Sequence, residues 1–228
     1  MMARRPLFIA TKDPDMPVKV VDVEFEWFAG MNVKRKRLCI ASLHEAAAQL
    51  YGVPNGRILE ISSKSENHLG AAMSAFNLSV DAGNGASVSV ESIFQGSKVF
   101  ERGGPYTEIY GMSARQAKKY EKLYDSGNLL YFLRKGERWD LEPRTAFYDW
   151  VYLNALVRNP KLAEAVMAYE AFTDIEFNPK KSINCQAASA ALFVSLVSLG
   201  VIVEALSGKE SFLEMTRGHA PREKGRLL

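Results

Sequence analysis

Glu91, Gln95, Lys98 and Arg102 fall at i, i+4, i+7 and i+11 of a segment that reads as a helix from Val90, which sets an acid, an amide and two cations along one face. A carboxylate so placed can activate water or stabilise a developing positive charge, an amide can bond a hydroxyl group, and a lysine can hold a phosphate. Glu91 lies in the first turn, where the helix dipole favours the ionised carboxyl and so suits a base or stabiliser rather than an acid. Ile93, Phe94, Val99 and Phe100 give the same segment apolar anchors. Spacing alone does not separate this stripe from an ordinary solvated helix face. Metal chemistry has no comparable cluster. Cys39 and Cys185 stand far apart, and His44, His68 and His219 stand alone, so neither a bound metal nor a cofactor is expected.

The elements that must carry these residues can be read from periodicity and punctuation. With 228 residues and 47% hydrophobic side chains, the chain has enough apolar content for one domain spanning residues 1–228. Folded proteins of this size bury roughly 70–75% of the surface of the unfolded chain. Val18 to Phe28 alternates as a half-buried strand, and Met31 to Ile40, with Lys34, Arg35, Lys36 and Arg37, is expected to return as a second. Ser42 to Glu45 reads as a capping box opening a short helix that Gly52 stops. Ile58 to Ile61 reads as a strand. Ser89 caps a helix expected to run to about Phe100, and Ser113 with Gln116 opens a Lys-rich helix ending near Gly127. From Arg144, apolar residues recur at helical spacing, Asn159-Pro160 starts another helix, and Asn184 is expected to cap the last long one.

Composition narrows the setting. The apolar stretch Pro6 to Ala10 is too short for a signal-peptide core, and the run Ala187 to Leu206 contains Ser189, Ser195, Ser198 and Glu204, which fits a buried helix better than a membrane span. The expectation is a cytoplasmic protein without a membrane partner. A net charge of +3 permits contact with nucleic acid without requiring it.

The ten residues from Ser89 to Lys98, SVESIFQGSK, resemble the helix motif of the NADAR (YbiA-like) family, in which a serine or valine and a glutamate precede a Phe-Gln pair and a lysine. Met73-Ser74-Ala75-Phe76-Asn77 resembles the family's L-S-N-F segment, and Ala155 to Ala163 resembles its helix-turn-helix with N-P-x-L. Asn184 stands where the family has its G-x-N-x-L-G turn, with Ala187 in place of the glycine. The resemblance runs from about Ile58 to Ser198 and leaves the N-terminal hairpin and short helix, residues 18–52, as an extra element. It implies an α+β fold, helix-rich with a small antiparallel sheet. The family's aspartate and W-G segment is replaced by Phe172 to Lys181, where Asp174 or Glu176 can supply the acid. More closely, the F-E-W-F, S-L-H-E, F-Q-G-S-K and I-E-F-N-P-K-K-S-I-N segments are similar to the NADAR branch found beside DarT-type DNA ADP-ribosyltransferase toxins. That resemblance implies an antitoxin that removes ADP-ribose from guanine in DNA, with ADP-ribosylated DNA and a DarT-type toxin as partners.

Cleaving a ribose C1'–N bond passes through an oxocarbenium-like state, which needs a carboxylate and a proton donor for the departing nitrogen. Glu91 is the candidate carboxylate, Lys98 a phosphate ligand and Gln95 a ligand for a ribose hydroxyl. Ser74, Phe76 and Asn77 are expected to line the pocket, Phe76 by stacking on a base unless it belongs to the core, and Asn77 by bonding the base edge. Lys64 is either a solvated loop lysine or a second catalytic group able to attack ring-opened ribose as a Schiff base. Asn178, Lys180 and Asn184 complete the expected substrate-binding set. Lys180 and Lys181 are the cations expected to meet a DNA backbone, whereas Lys34 to Arg37 and Lys118, Lys119 and Lys122 read as solvated faces. Trp139 reads as a packing residue. Two further functions fit the same residues: an N-glycosidase on phosphorylated intermediates of riboflavin synthesis, and a non-catalytic antitoxin that binds the toxin.

Overall fold

The computed structural model of the chain describes residues 1–30, 32–81, 87–179 and 182–217. Strands β1 (Met2–Ala10) and β2 (Val18–Glu26) form an antiparallel hairpin in unbroken register, Met2 opposite Glu26 and Ala10 opposite Val18. The alternation in β2 works as expected: Val23 and Phe25 are buried, Val21 and Trp27 pack beside them, and Glu24 and Glu26 face outward. The return strand expected through Ile40 is instead helix α1 (Val33–Tyr51), and the partner of β2 is the N-terminal β1. Cys39, Leu43 and Ala47 recur every four residues and all are buried, so a helical stripe outweighs the short apolar run. Asn32 caps α1 by accepting from the Arg35 N–H, and Gly52 ends it in the left-handed conformation at φ 68°. Ser42 lies inside this helix, where its hydroxyl accepts from the Glu26 N–H at 3.2 Å instead of capping.

The chain continues through β3 (Ile58–Glu60), α2 (His68–Ala72), β4 (Ser79–Asp81), β5 (Ser87–Ser89), α3 (Val90–Gly96) and β6 (Lys98–Phe100). Then come α4 (Ala114–Lys118), α5 (Lys122–Asp125), β7 (Leu129–Arg134), β8 (Glu137–Trp139), α6 (Ala146–Val157) and α7 (Pro160–Val166). Last are β9 (Ala171–Thr173), α8 (Gln186–Ser198), α9 (Ile202–Ala205) and α10 (Lys209–Met215). The main sheet has the order β2-β1-β9-β3 and is mixed, because β3 and β9 run parallel with Glu60 opposite Thr173. Small antiparallel sheets β4-β5 and β6-β7-β8 flank it. Together these elements make an α+β, helix-rich fold.

Successive residues of the main sheet feed two cores. Leu7, Val23 and Phe25 pack with Cys39, Leu43 and Ala47 of α1. Phe8, Leu59 and Phe172 join Leu192 and Phe193 of α8 and Tyr152 and Leu156 of α6. Helix α8 is apolar nearly all round, as a helix enclosed by protein must be. Among the described residues, no helix is long and apolar enough to cross a membrane.

Three expected boundaries move. Helix α3 stops at Gly96, and Lys98 to Phe100 is a strand paired with β7, so Arg102 leaves the stripe and its guanidinium donates to the Asp125 carbonyl at 2.7 Å. The Ser113–Gln116 capping box is present, but the Lys-rich segment behind it is two short helices, α4 and α5. Asn184 does not cap α8, whose N-cap is Cys185. Trp139 is buried against Phe147, Trp150 and Phe212, the packing role expected of it.

Candidate active site

Helix α3 starts where the chain leaves β5, with the Ser89 side chain accepting from the Ser92 N–H at 3.1 Å. All seven residues of α3 are buried, and Ile93 and Phe94 each contribute about 1.5–3 kcal/mol by leaving water. The Glu91 N–H donates to the Ala75 carbonyl at 2.9 Å, which ties the helix start to the Met73–Asn77 segment. One turn on, Gln95 Nε2 donates to Glu91 Oε1 at 2.9 Å. Lys98 follows on β6, its ammonium 4.8 Å from the centre of the Phe94 ring. Burial lowers the Lys98 pKa to about 8, the Lys118 charge adds to that fall, and the Glu91 charge opposes it. Lys118 Nζ lies 5.4 Å from the centre of the Phe76 ring.

The parallel strands β3 and β9 supply a second group of residues. Ligands in α/β sheets commonly bind beyond the carboxyl ends of parallel strands, and here Asp174 is the first residue past β9. Its Oδ1 accepts from the N–H groups of Glu176 and Phe177 at 2.9 and 3.2 Å, and its Oδ2 accepts from Gln186 Nε2 at 3.0 Å. Burial pushes the Asp174 carboxyl up to about 8, and the charge of Glu60 pushes in the same direction. Glu60, itself raised by burial, accepts from the Ile175 N–H at 2.9 Å and from the Thr173 hydroxyl at 2.6 Å. His44 Nε2 lies 2.8 Å from that hydroxyl. Because the hydroxyl donates to Glu60, His44 must donate through Nε2. Burial lowers the His44 pKa to about 4, leaving the ring neutral at pH 7.

One cleft of about 620 Å³ is lined from both groups, by Glu91, Lys98 and Lys118 of the first and by Asp174 and Gln186 of the second. Of the residues named from the sequence, Glu91, Gln95, Lys98, Phe76 and Asn184 line it, beside Asp174 and Glu176, the two acids of the replaced segment. Asn184 Oδ1 is buried there without a hydrogen-bond partner among the described residues. The cleft lining among the described residues does not include Lys64, Ser74, Asn77 or Asn178. Lys64 sits half-buried on the turn after β3, its N–H bonded to Ser62 Oγ at 3.2 Å. Ser74 is buried, and its carbonyl accepts from the N–H groups of Asn77 and Leu78. Asn77 turns away to donate to the Ala71 carbonyl at 2.8 Å, and the Asn178 carbonyl accepts from the Ser182 N–H at 2.9 Å. Lys180 and Lys181 lie outside the described residues.

Among the lining residues that escaped the sequence reading are Lys118, Arg144, Tyr148 and Gln186. Lys118 looked like part of a solvated run, and Tyr148 falls between the apolar positions that define the stripe of α6. Burial and the nearby Glu91 charge raise Tyr148 well above the ordinary tyrosine range, so it remains a neutral phenol. Gln186 did carry a signal, since it is a polar residue at the head of the most apolar stretch of the chain.

The cleft therefore combines a carboxyl group braced by an amide, a second carboxyl whose pKa burial raises, two ring-stacked lysines and aromatic walls. Such a set can bind a phosphorylated, base-bearing ligand and move protons at it. Among the described residues, no cluster of His, Cys, Asp or Glu could hold a metal ion. No curated protein matches the chain. The family described as DarT1-associated NADAR antitoxin matches residues 3–225, a stretch that takes in the β1–β2 hairpin and α1 as well as the cleft, and the chain belongs to that family.

Proposed function

We propose that this cleft hydrolyses the N-glycosidic bond between ADP-ribose and guanine in DNA, and that the protein thereby counteracts a DarT-type ADP-ribosyltransferase. The observation that carries the reading is the pairing in one cleft of Glu91, braced by Gln95, with Asp174, whose carboxyl burial raises into the range of a proton donor. In this reading Glu91 takes a proton from water as the water oxygen bonds to ribose C1'. The C1'–N bond breaks, its electron pair stays on the guanine nitrogen, and Asp174 delivers the proton that nitrogen needs. Water and ADP-ribosyl-guanine become ADP-ribose and guanine, which remains in the DNA strand.

The cations fit the ADP-ribose half of such a substrate. In this reading Lys98 and Lys118, both in the cleft lining, neutralise the diphosphate, and Phe76 offers a face on which a base can stack. Asn184 Oδ1, an acceptor without a partner among the described residues, suits an N–H of the substrate.

The test is to incubate the protein with an oligonucleotide carrying ADP-ribosyl-guanine and, separately, with a phosphoribosyl intermediate of riboflavin synthesis, and to follow release of each product. Release of ADP-ribose from the oligonucleotide is expected. Turnover of the riboflavin intermediate alone would replace the reading with small-molecule N-glycosidase activity. Turnover of neither would leave neutralisation of the toxin by direct binding.

A further inference from the structure

Gln186 opens helix α8, and its amide makes three bonds to three separate parts of the chain. Its Oε1 accepts from the Ala75 N–H at 2.7 Å. Its Nε2 donates to the Ile61 carbonyl at 2.6 Å and to Asp174 Oδ2 at 3.0 Å. Both amide hydrogens are thus used. Turning the amide over would set Nε2 against the Ala75 N–H and Oε1 against the Ile61 carbonyl, so its orientation is fixed. The carbonyl of the same Ala75 accepts from the Glu91 N–H. A path of hydrogen bonds and backbone runs from Asp174 Oδ2 through Gln186 and across residue Ala75 to the backbone of Glu91.

We infer that Gln186 is a positioning residue that fixes the two cleft carboxyl groups, Asp174 and Glu91, relative to each other and directs the Asp174 proton into the cleft from Oδ2. The inference rests on the proposed hydrolysis, in which those two groups share the work. Its second part follows from hydrogen-bond capacity. Asp174 Oδ1 already accepts two backbone N–H groups, and Oδ2 gives one lone pair to Gln186. A proton on Asp174 therefore sits on the remaining lone pair of Oδ2. The Gln186 bond also favours the charged form of Asp174, so it holds the donor's pKa down against burial.

Two variants test this. Gln186→Met removes all three bonds at similar length, while Gln186→Glu keeps an acceptor for Ala75 and loses the amide donors. Both should lower kcat at pH 7 at least tenfold and leave KM for the modified oligonucleotide within about twofold, since the phosphate-binding lysines are untouched. The loss of several neutral hydrogen bonds together accounts for a fold-change of that size. Both should also move the high-pH limb of kcat upward, and a carboxyl NMR titration should show the Asp174 pKa rising in each. An unchanged Asp174 titration and an unchanged kcat profile in a folded Gln186→Glu protein would overturn the inference, whatever the melting temperature of Gln186→Met. The titration also separates the two ideas: a wild-type protein that cleaves nothing, yet whose Asp174 pKa rises in both variants, would sink the hydrolysis reading and leave the positioning role standing.

Discussion

Gln95 stands one helical turn after Glu91 and donates its Nε2 hydrogen to Glu91 Oε1 at 2.9 Å, with both side chains buried in the same wall of the cleft. The bond fixes the carboxyl's rotamer and leaves Oε2 for other partners. Gln95 thus does two jobs if it also meets a ribose hydroxyl. Replacing it by leucine should cost turnover about tenfold or more, the effect of losing one hydrogen bond of about 1.5–3 kcal/mol to a charged group. Comparison of kcat with the melting temperature checks this: a drop in melting temperature with full kcat would make the bond structural alone.

Lys98 gives the binding step its own pH dependence. Its pKa of about 8 means that the free protein loses this charge as pH rises through 8, while a bound diphosphate favours keeping it. ADP-ribose affinity should be level below pH 7 and fall by up to about tenfold per pH unit above 8. Lys98→Arg should flatten the curve, because guanidinium stays charged. Stability should not follow affinity downward. An unfolded lysine keeps its proton to about 10.5, so this residue makes folding more favourable as pH rises from 8 toward 10.5. Calorimetric binding from pH 6 to 9.5 checks the first statement, and an affinity that ignores pH would remove Lys98 from the binding site.

Asp174 gives the chemical step a separate limb. A general acid must hold its proton, so kcat should fall as pH rises through about 8 while KM follows Lys98. Glu60→Gln removes a neighbouring charge that raises Asp174 and should move the limb to lower pH. The variant should fold. Its Oε1 can still accept from Ile175, and its amide can donate to the Thr173 hydroxyl, which can then turn to a neutral His44. In stability terms, a carboxyl raised from 3.8 to about 8 contributes most below 3.8 and loses that contribution as pH rises through 8. Asp174→Asn should therefore destabilise less at pH 8.5 than at pH 5, as melting curves at the two values would show. A kcat limb that stays in place in Glu60→Gln would mean that another group donates the proton.

Local chemistry made some of this legible in the sequence, and tertiary contacts hid the rest. The Ser89 cap and the i, i+4 spacing of Glu91 and Gln95 depend on neighbours a few residues away, so they could be read directly. Lys98 lines the cleft with Glu91 and Gln95, but from a strand after Gly96 instead of from the helix. The basic run Lys34 to Arg37 concealed a helix because its apolar stripe begins only at Cys39. Strand β1 was invisible because its burial depends on pairing with β2 and, at Phe8 and Ile9, with β9, more than 160 residues away. Asp174 could be narrowed to one of two acids by the resemblance. Its proton affinity depends first on burial and then on Glu60, which lies opposite Thr173 in a parallel pair that no local pattern announces.

The central claim is that Glu91 supplies the negative charge of the reaction, and Glu91→Gln tests it most directly. Glutamine keeps the side chain's shape and an oxygen to accept from Gln95, so the fold and ADP-ribose binding should survive. The lost interaction with the helix dipole should cost only a few tenths of a kcal/mol. Loss of one electrostatic stabiliser costs about 3–4 kcal/mol, so release of ADP-ribose from modified oligonucleotide should fall roughly 10²–10³-fold. Release rate, melting temperature and ADP-ribose affinity measured on the same preparation should show the first collapse while the other two hold. Release within about threefold of wild type, against the hundredfold loss expected, would contradict the account.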